Sequence, residues 1–268
     1  MAKIFNGIRK TLLKEGKTAN YLKYAIGEII LVVVGILIAL QINNWNEGQK
    51  AEANTVTYVN NLIEDLKKDH LVYTDQINAA QLRFKYCKDI NEIINEGKTI
   101  TDTSAFIVNL QAVGRLSIPT ITDNTYKDLI STGNIKLIKD KKIIDAIGIY
   151  YSNPLAWFYT DYKNQLVNGY LPLAVDAIPM YIHEQIMNNE TVNTFQEADV
   201  ELLNNHIEHF TKKDVTDIMD ALVRNKAFNF ELKRITRSHL VLINILKLSD
   251  KSAKSLMNSL EAWKMSNK

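Results

Sequence analysis

Two histidines, His206 and His209, have the spacing in this chain that most resembles a metal site. On one face of a helix they could offer two ligands, with Glu201 or Glu208 nearby. A metal site needs a third ligand that converges on the same point, and the sequence marks none. We therefore expect two solvated histidines and no bound metal.

Other catalytic signatures are missing from the sequence. It has no HExxH, no GxSxG, no phosphate-binding loop and no dinucleotide fingerprint. The single cysteine, Cys87, cannot form an internal disulfide, and it falls on a stripe of apolar residues. That position indicates a core residue rather than a nucleophile. The sequence predicts a protein that is not an enzyme and that has no cofactor.

Glu28 is the residue that most suggests a function, because it lies within the most apolar stretch of the chain. Residues 29–40 are all apolar or glycine, but they give only about 18 Å of helix, too short for a hydrocarbon core of roughly 30 Å. Extending the segment to residues 24–42 gives about 28 Å and includes Glu28. We expect a transmembrane signal anchor at residues 21–47, with the lipid bilayer as its partner.

Small residues near Glu28 predict a close contact with another helix. Glu28, Leu31 and Gly35 follow a spacing of three and four residues, and Ala39 lies close to the same face. Small residues let helix backbones approach, and a carboxyl group inside lipid needs a partner. One interpretation is an oligomer or docking against another membrane protein. Another is that Glu28 reaches headgroups or water, and a third, an ion-conducting role, would need more than one such group per span.

Both ends of the anchor carry residues that suit the headgroup layer: Lys23 and Tyr24 before it and Trp45 after it. Six basic residues and one acidic residue precede the span, whereas residues 47–268 carry 26 basic and 28 acidic residues. The positive-inside rule then predicts a cytoplasmic N-terminus and a C-terminal part across the membrane. The overall charge of +2 hides this asymmetry and does not indicate nucleic-acid binding. A cleaved signal peptide is the alternative, but no small-x-small cleavage site follows the apolar run.

The anchor resembles the opening of a family of uncharacterised single-pass membrane proteins from Bacteroidota. The matching pieces are YAIGE at residues 24–28, GILIALQ at residues 35–41 and NNWN at residues 43–46. The pattern continues weakly in TYKDL at residues 125–129 and TGN at residues 132–134. The resemblance implies a Gram-negative inner membrane with a periplasmic domain, and it implies no activity.

Aromatic residues are concentrated between residues 150 and 170. One interpretation is a platform for an aromatic ligand or a glycan. The other, which we favour, is a seam between helices, because aromatic side chains routinely fill protein cores. The possible ligand-binding residues are Tyr150, Tyr151, Trp157, Tyr159 and Tyr162.

Helices are the elements that must position these residues. Four prolines and ten glycines are few for 268 residues, which favours long helices over a β-sandwich. Residues 52–96 repeat apolar residues at a spacing of three and four over more than five heptads, typical of a helix in a bundle. The same register runs back into the anchor. A nearly continuous helix over residues 21–96 is therefore possible, with Gly48 as the expected break.

Shorter helices are expected at residues 101–117, 123–130, 139–151, 181–187, 198–210 and 213–227, with a surface loop at residues 188–197. A final helix at residues 228–263 is long enough to return along the first. Residues 1–20 form a basic cytoplasmic segment, either an amphipathic helix or a disordered tail. The predicted fold is all-α, with one N-terminal transmembrane helix followed by a periplasmic helical bundle at residues 48–268. The residues expected to face inward from the final helix are Leu232, Ile235, His239, Leu242, Ile243, Leu246, Leu248 and Leu256.

These features predict a non-enzymatic, membrane-anchored interaction or scaffold protein, an accessory subunit of a cell-envelope complex. Its partner would be a membrane protein, a periplasmic protein or a second copy of the chain, and no nucleic acid. A periplasmic ligand-sensing bundle is one alternative, which would need a partner helix to carry a signal into the cytoplasm. A homo-oligomeric channel that uses Glu28 is another.

Overall fold

The computed structural model describes residues 18–115, 118–152, 156–187 and 210–266, and all regular structure in those ranges is helical. A 3-10 turn (Asn134–Leu137) follows α3, and a π-helical turn (Leu166–Tyr170) joins α5 to α6. The all-α prediction is confirmed for this part of the chain. The α-helices are α1 (Thr18–Glu96), α2 (Thr103–Ala112), α3 (Asn124–Ser131), α4 (Lys141–Tyr151), α5 (Ala156–Gln165), α6 (Leu171–Asp176), α7 (Met180–Met187), α8 (Lys212–Arg224) and α9 (Lys226–Ser266).

The chain divides into two compact units, Met1–Thr57 and Tyr58–Lys268. The described part of the first unit consists of the N-terminal portion of α1, and the second unit contains the rest of α1 and all later helices. The possibility of one nearly continuous helix is confirmed, because α1 runs from Thr18 to Glu96 without a break at Gly48, the position where a break was expected. One glycine costs a helix only about 1 kcal/mol, and the flanking Glu47, Gln49 and Lys50 are good helix formers.

The second unit has one hydrophobic core, and α1 contributes a long apolar stripe to it. The spacing of three and four residues predicted this stripe, and Ile77 and Phe84 pack at its margin. The fully or nearly fully buried members of the predicted stripe are Val59, Ile63, Leu66, Tyr73, Ala80, Cys87 and Ile94.

The last helix returns along the first, as its length predicted. His70 Nδ1 lies 2.5 Å from Asp250 Oδ1, and the Thr236 hydroxyl reaches Cys87 further along α1. From His70 to Cys87 the residue number rises along α1, while the partners fall from Asp250 to Thr236 along α9. The two helices are therefore antiparallel. The predicted inward positions of α9 are buried, except that Leu248 is 61% exposed. Leu248 follows the buried Leu246 by two residues, about 200° around the helix, which places it on the outer face.

Local signals fix the ends of the shorter helices. The Asp102 side chain caps α2 by accepting from the Ala105 amide at 2.9 Å, and Asp140 caps α4 in the same way. Gly133, at φ 72°, ends the α3 turn in a left-handed conformation that suits glycine.

Several predictions lie outside the described residues. They concern most of the basic segment at residues 1–20, the loop at residues 188–197 and nearly all of the helix at residues 198–210. Helix α2 ends at Ala112 instead of residue 117. Gly114 follows that end, in close contact with Leu171 of α6.

Candidate functional site

In the described part of the chain, α1 is the helix long and apolar enough to cross a membrane. Its most apolar window of 18 residues has a mean hydropathy of 2.6, and none of that window is buried. Ile29, Leu37 and Ile42 are each more than half exposed. A continuous exposed apolar surface of this size is unfavourable in water and favourable in lipid, so it indicates membrane anchoring.

The face that carries Glu28 is open along the anchor. Leu31 is exposed, and no atom lies within 4 Å of the position that a Cβ of Gly35 would take. Ala39 is exposed and Glu28 is partly exposed. The face can therefore accept another helix at close range, since no described residue outside α1 covers Gly35 or Ala39.

The expected headgroup residues lie at both ends of the apolar run. Lys23 is exposed, and Trp45 is two-thirds exposed. The side chain of Tyr24 lies outside the described residues. Exposure of a lysine and a tryptophan at opposite ends suits residues that contact the headgroup layer.

The five aromatic residues proposed as a ligand region are divided between core and surface. Tyr150, Tyr159 and Tyr162 are buried, Tyr151 is half-buried, and Trp157 is 67% exposed. Tyr162 stacks on Phe158 at a centroid distance of 6.0 Å, and Tyr151 stacks on Tyr126 at 4.4 Å. Burial raises the pKa of Tyr159 to about 12, so its hydroxyl stays protonated.

Two aspartates that the sequence analysis missed lie in the core beside these tyrosines. Asp69 is completely buried and accepts hydrogen bonds from Tyr150 Oη at 2.7 Å and from the Thr122 amide at 2.6 Å. Burial raises the pKa of Asp69, and the two hydrogen bonds oppose this rise. Asp65, one turn earlier, is 6% exposed and accepts from Thr125 Oγ1 at 2.5 Å.

Tyr58 makes a third polar contact between α1 and the α3 region. Its hydroxyl donates to Asp128 Oδ2 at 2.8 Å and accepts from Asn134 Nδ2 at 2.9 Å. Along α1, Tyr58, Asp65 and Asp69 follow one another, and their partners Asn134, Thr125 and Thr122 have decreasing residue numbers. The two segments therefore run antiparallel. We call this set of contacts the α1 clasp, formed by Tyr58, Asp65, Asp69, Thr122, Thr125, Asp128, Asn134 and Tyr150.

Residues of the TYKDL and TGN segments supply much of the clasp. Thr125 and Asp128 bond to α1 directly, while Tyr126 stacks on Tyr151. Gly133 provides the left-handed turn that brings Asn134 back to Tyr58. Both segments therefore help to pack the α3 region against α1.

Other reactive residues of the core are unsuited to catalysis at neutral pH. Burial raises the pKa of the Cys87 thiol to about 12, which leaves too little thiolate to act as a nucleophile. Burial and the nearby Arg83 lower the pKa of His239 to about 3, and its Nδ1 lies 3.1 Å from Tyr162 Oη. Among the described residues no cluster of three possible metal ligands occurs, and His206 and His209 lie outside that part.

A single sequence match covers the clasp and most of the anchor. Residues 28–159 match a family of unknown function, DUF6090. The DUF6090 match covers slightly less than half of the chain, and it runs from Glu28 through the anchor and the clasp to Tyr159. It agrees with the expected resemblance to an uncharacterised family and extends far beyond the anchor. No curated protein and no solved structure matches the chain.

One sequence signal could have located the buried aspartates. Leu62 and Leu66 lie on the inner face of α1, and a continuation at the same spacing reaches Asp69 and then Tyr73. A carboxylate at the third position of this series interrupts an otherwise apolar row. Such an interruption predicts a buried polar contact, although it does not identify the partner helix.

Proposed function

We propose that this protein is a non-enzymatic, membrane-anchored interaction protein, an accessory or scaffold subunit of a cell-envelope complex. Its anchor binds a partner helix through the face of Glu28, Leu31, Gly35 and Ala39. The partner is an integral membrane protein or a second copy of the chain. The rest of the chain is a periplasmic helical bundle, held at an inner membrane of the Bacteroidota type.

The observation that carries this proposal is the open small-residue face on an exposed apolar helix. Gly35 has free space where a Cβ would stand, and Leu31 is 70% exposed. In lipid, close backbone approach gives the van der Waals contact that drives helix association, since burial of apolar surface adds little there. Glu28 on the same face gains from a polar partner across the interface.

Charge supports the proposed orientation. The residues before the span have a net charge of +5, and the residues from 47 onward have a net charge of −2. Basic flanks stay on the cytoplasmic side of bacterial inner membranes. The second unit would then lie in the periplasm, where an accessory subunit can contact other envelope proteins.

The experiment is extraction in a mild detergent at native expression level, followed by mass determination and subunit identification. We expect a defined complex, either with another envelope membrane protein or of several copies of this chain. A lone monomer under these conditions would contradict the proposal.

Two matched variants test whether the Glu28 face makes the contact. Gly35→Ile adds four carbon atoms on this face and should dissociate the complex. Val33→Phe also adds four carbons, but Val33 lies about 160° around the helix from Gly35 and should leave the complex intact. Equal behaviour of the two variants would show that the contact is not on the Glu28 face.

A further inference from the structure

Asp69 lies fully buried in the second unit, although an ordinary aspartate is ionised at neutral pH. An ionised carboxylate loses its hydration on burial, and two hydrogen bonds replace only part of that loss. These bonds come from the hydroxyl of Tyr150 and the backbone amide of Thr122, and the side chain of Thr122 also favours the ionised form. The site therefore favours the protonated carboxyl more strongly than water does.

Among the titratable groups near Asp69, Asp65 acts in the same direction as burial, whereas the hydrogen bond from Tyr150 acts against it. Asp65 repels the ionised form from one turn away on α1. Tyr73 and Tyr150 have pKa values raised by burial, so they stay neutral and do not ionise to phenolate anions. The titratable groups nearest Asp69 are Asp65 and Tyr73 on α1 and Tyr150 and Tyr151 on α4. Asp123 acts on Tyr151 and Asp250 acts on Tyr73. The cation of Lys68 pairs with Asp65 at 3.5 Å.

We propose that Asp69 is a pH-sensitive latch that holds α1 against the Thr122 segment and α4, firmly when its carboxyl binds a proton and less firmly when the carboxyl is ionised. In the protonated state one oxygen still accepts from the Thr122 amide. The other oxygen carries the proton and donates it to the Tyr150 hydroxyl, which turns to accept. Both contacts persist, and no charge is buried between the helices.

The direction of the pH effect follows from the raised pKa of Asp69. The latched state binds the proton more tightly than the open state. The stabilisation is fully present below the pKa of the open state and is lost as the pH rises through the higher pKa of the latched state. Each pKa unit of difference permits at most about a tenfold change in the latch equilibrium.

Hydrogen exchange of the full-length protein in mild detergent tests the latch from about pH 3.5, below the ordinary pKa of an aspartate, to about pH 7.5. The readout is protection of the peptide that contains the Thr122 amide, corrected for the intrinsic pH dependence of exchange. In the wild type this protection should fall as the pH rises, by about tenfold for each pKa unit that separates the latched and open states. Asp69→Asn cannot ionise and should give a flat profile. Asp75→Asn, an exposed change on the same helix, should keep the wild-type profile.

A second variant, Tyr150→Phe, tests the latch if Asp69→Asn does not fold. Tyr150→Phe removes a hydrogen bond that favours the ionised carboxylate, so the pH at which protection falls should move upward. A flat wild-type profile, a wild-type profile in Asp69→Asn, or a downward shift in Tyr150→Phe would each overturn the latch. None of these measurements involves a partner protein, so they test the latch separately from the proposed function.

Discussion

At the scale of single residues, Gly114 shows how closely the second unit is packed. A Cβ at this position would lie 2.8 Å from Leu171 Cγ and 3.3 Å from the carbonyl oxygen of Gln111. We expect Gly114→Ala to lower the free energy of unfolding by about 1–3 kcal/mol, because the leucine must move within a packed core. The measurement is thermal unfolding of the full chain in mild detergent, followed by circular dichroism.

Gly148→Ala is the matched control for this substitution. Gly148 lies within α4, and no atom lies within 4 Å of the added carbon. Alanine is the better helix former there by about 0.5–1 kcal/mol, so this variant should be slightly more stable than the wild type. Equal destabilisation by both substitutions would show that the close contact of Gly114 with Leu171 is not the cause.

Cys87 allows a test of burial by its chemistry. The side chain is fully buried, and burial raises its pKa to about 12, so the folded protein should not react with iodoacetamide at pH 8. After denaturation the thiol should be alkylated once, because the chain has one cysteine. Intact-protein mass spectrometry gives the result directly. Rapid alkylation of the folded protein would place Cys87 outside the core.

Residue patterns predicted the apolar core better than its polar contacts. Cys87 and Ile63 could be assigned from spacing, because a helix repeats its inner face with a fixed period. Spacing places Asp69 on the inner face but identifies neither its donors nor those of Asp65, because they come from residues 53 to 81 positions away. No local pattern specifies which distant helix supplies such a donor.

At the scale of elements, the clasp between α1 and the α3 region can be measured as a coupling energy. Tyr58→Phe removes one hydroxyl that serves both Asp128 and Asn134. With Asn134→Ala, a double-mutant cycle should give a coupling of about 0.5–1.5 kcal/mol, the usual contribution of a hydrogen bond. Chemical unfolding of the two single variants and the double variant provides the numbers.

A distant pair provides the control for this cycle. Asn95 lies 37 residues further along α1 than Tyr58 and shares none of its hydrogen bonds. Tyr58→Phe and Asn95→Ala should therefore have additive effects. A coupling between Tyr58 and Asn134 no larger than that of the control pair would mean that the clasp does not link the two elements.

The helical elements could be predicted largely because their ends carry local signals. Asp102, Gly133 and Asp140 each act within a few residues of the helix that they begin or end. Gly48 shows the limit of such signals, since glycine weakens a helix without necessarily ending it. Leu248 departs from the predicted inner face, because it lies about 200° around the helix from the buried Leu246.

At the scale of the whole molecule, the limits of the DUF6090 match suggest which parts act together. The match contains the apolar anchor segment, the clasp on α1 and the start of α5, whereas α6 to α9 lie beyond it. Helix α1 carries both the anchor segment and three residues of the clasp, which are Tyr58, Asp65 and Asp69. We infer that the matched region is organised around α1 and that the later helices complete its core.

The orientation of the chain can be tested with one reporter cysteine on each side of the anchor. Lys139→Cys lies on an exposed residue of the second unit, and Lys10→Cys lies in the basic segment before the anchor. The positive-inside rule places the first reporter in the periplasm and the second in the cytoplasm. In spheroplasts, a membrane-impermeant maleimide should therefore label Lys139→Cys at once and Lys10→Cys only after permeabilisation.

The native Cys87 is buried and provides the background in the unmodified chain. Labelling in the reverse order would place the second unit in the cytoplasm, and the proposed role in an envelope complex would then be wrong.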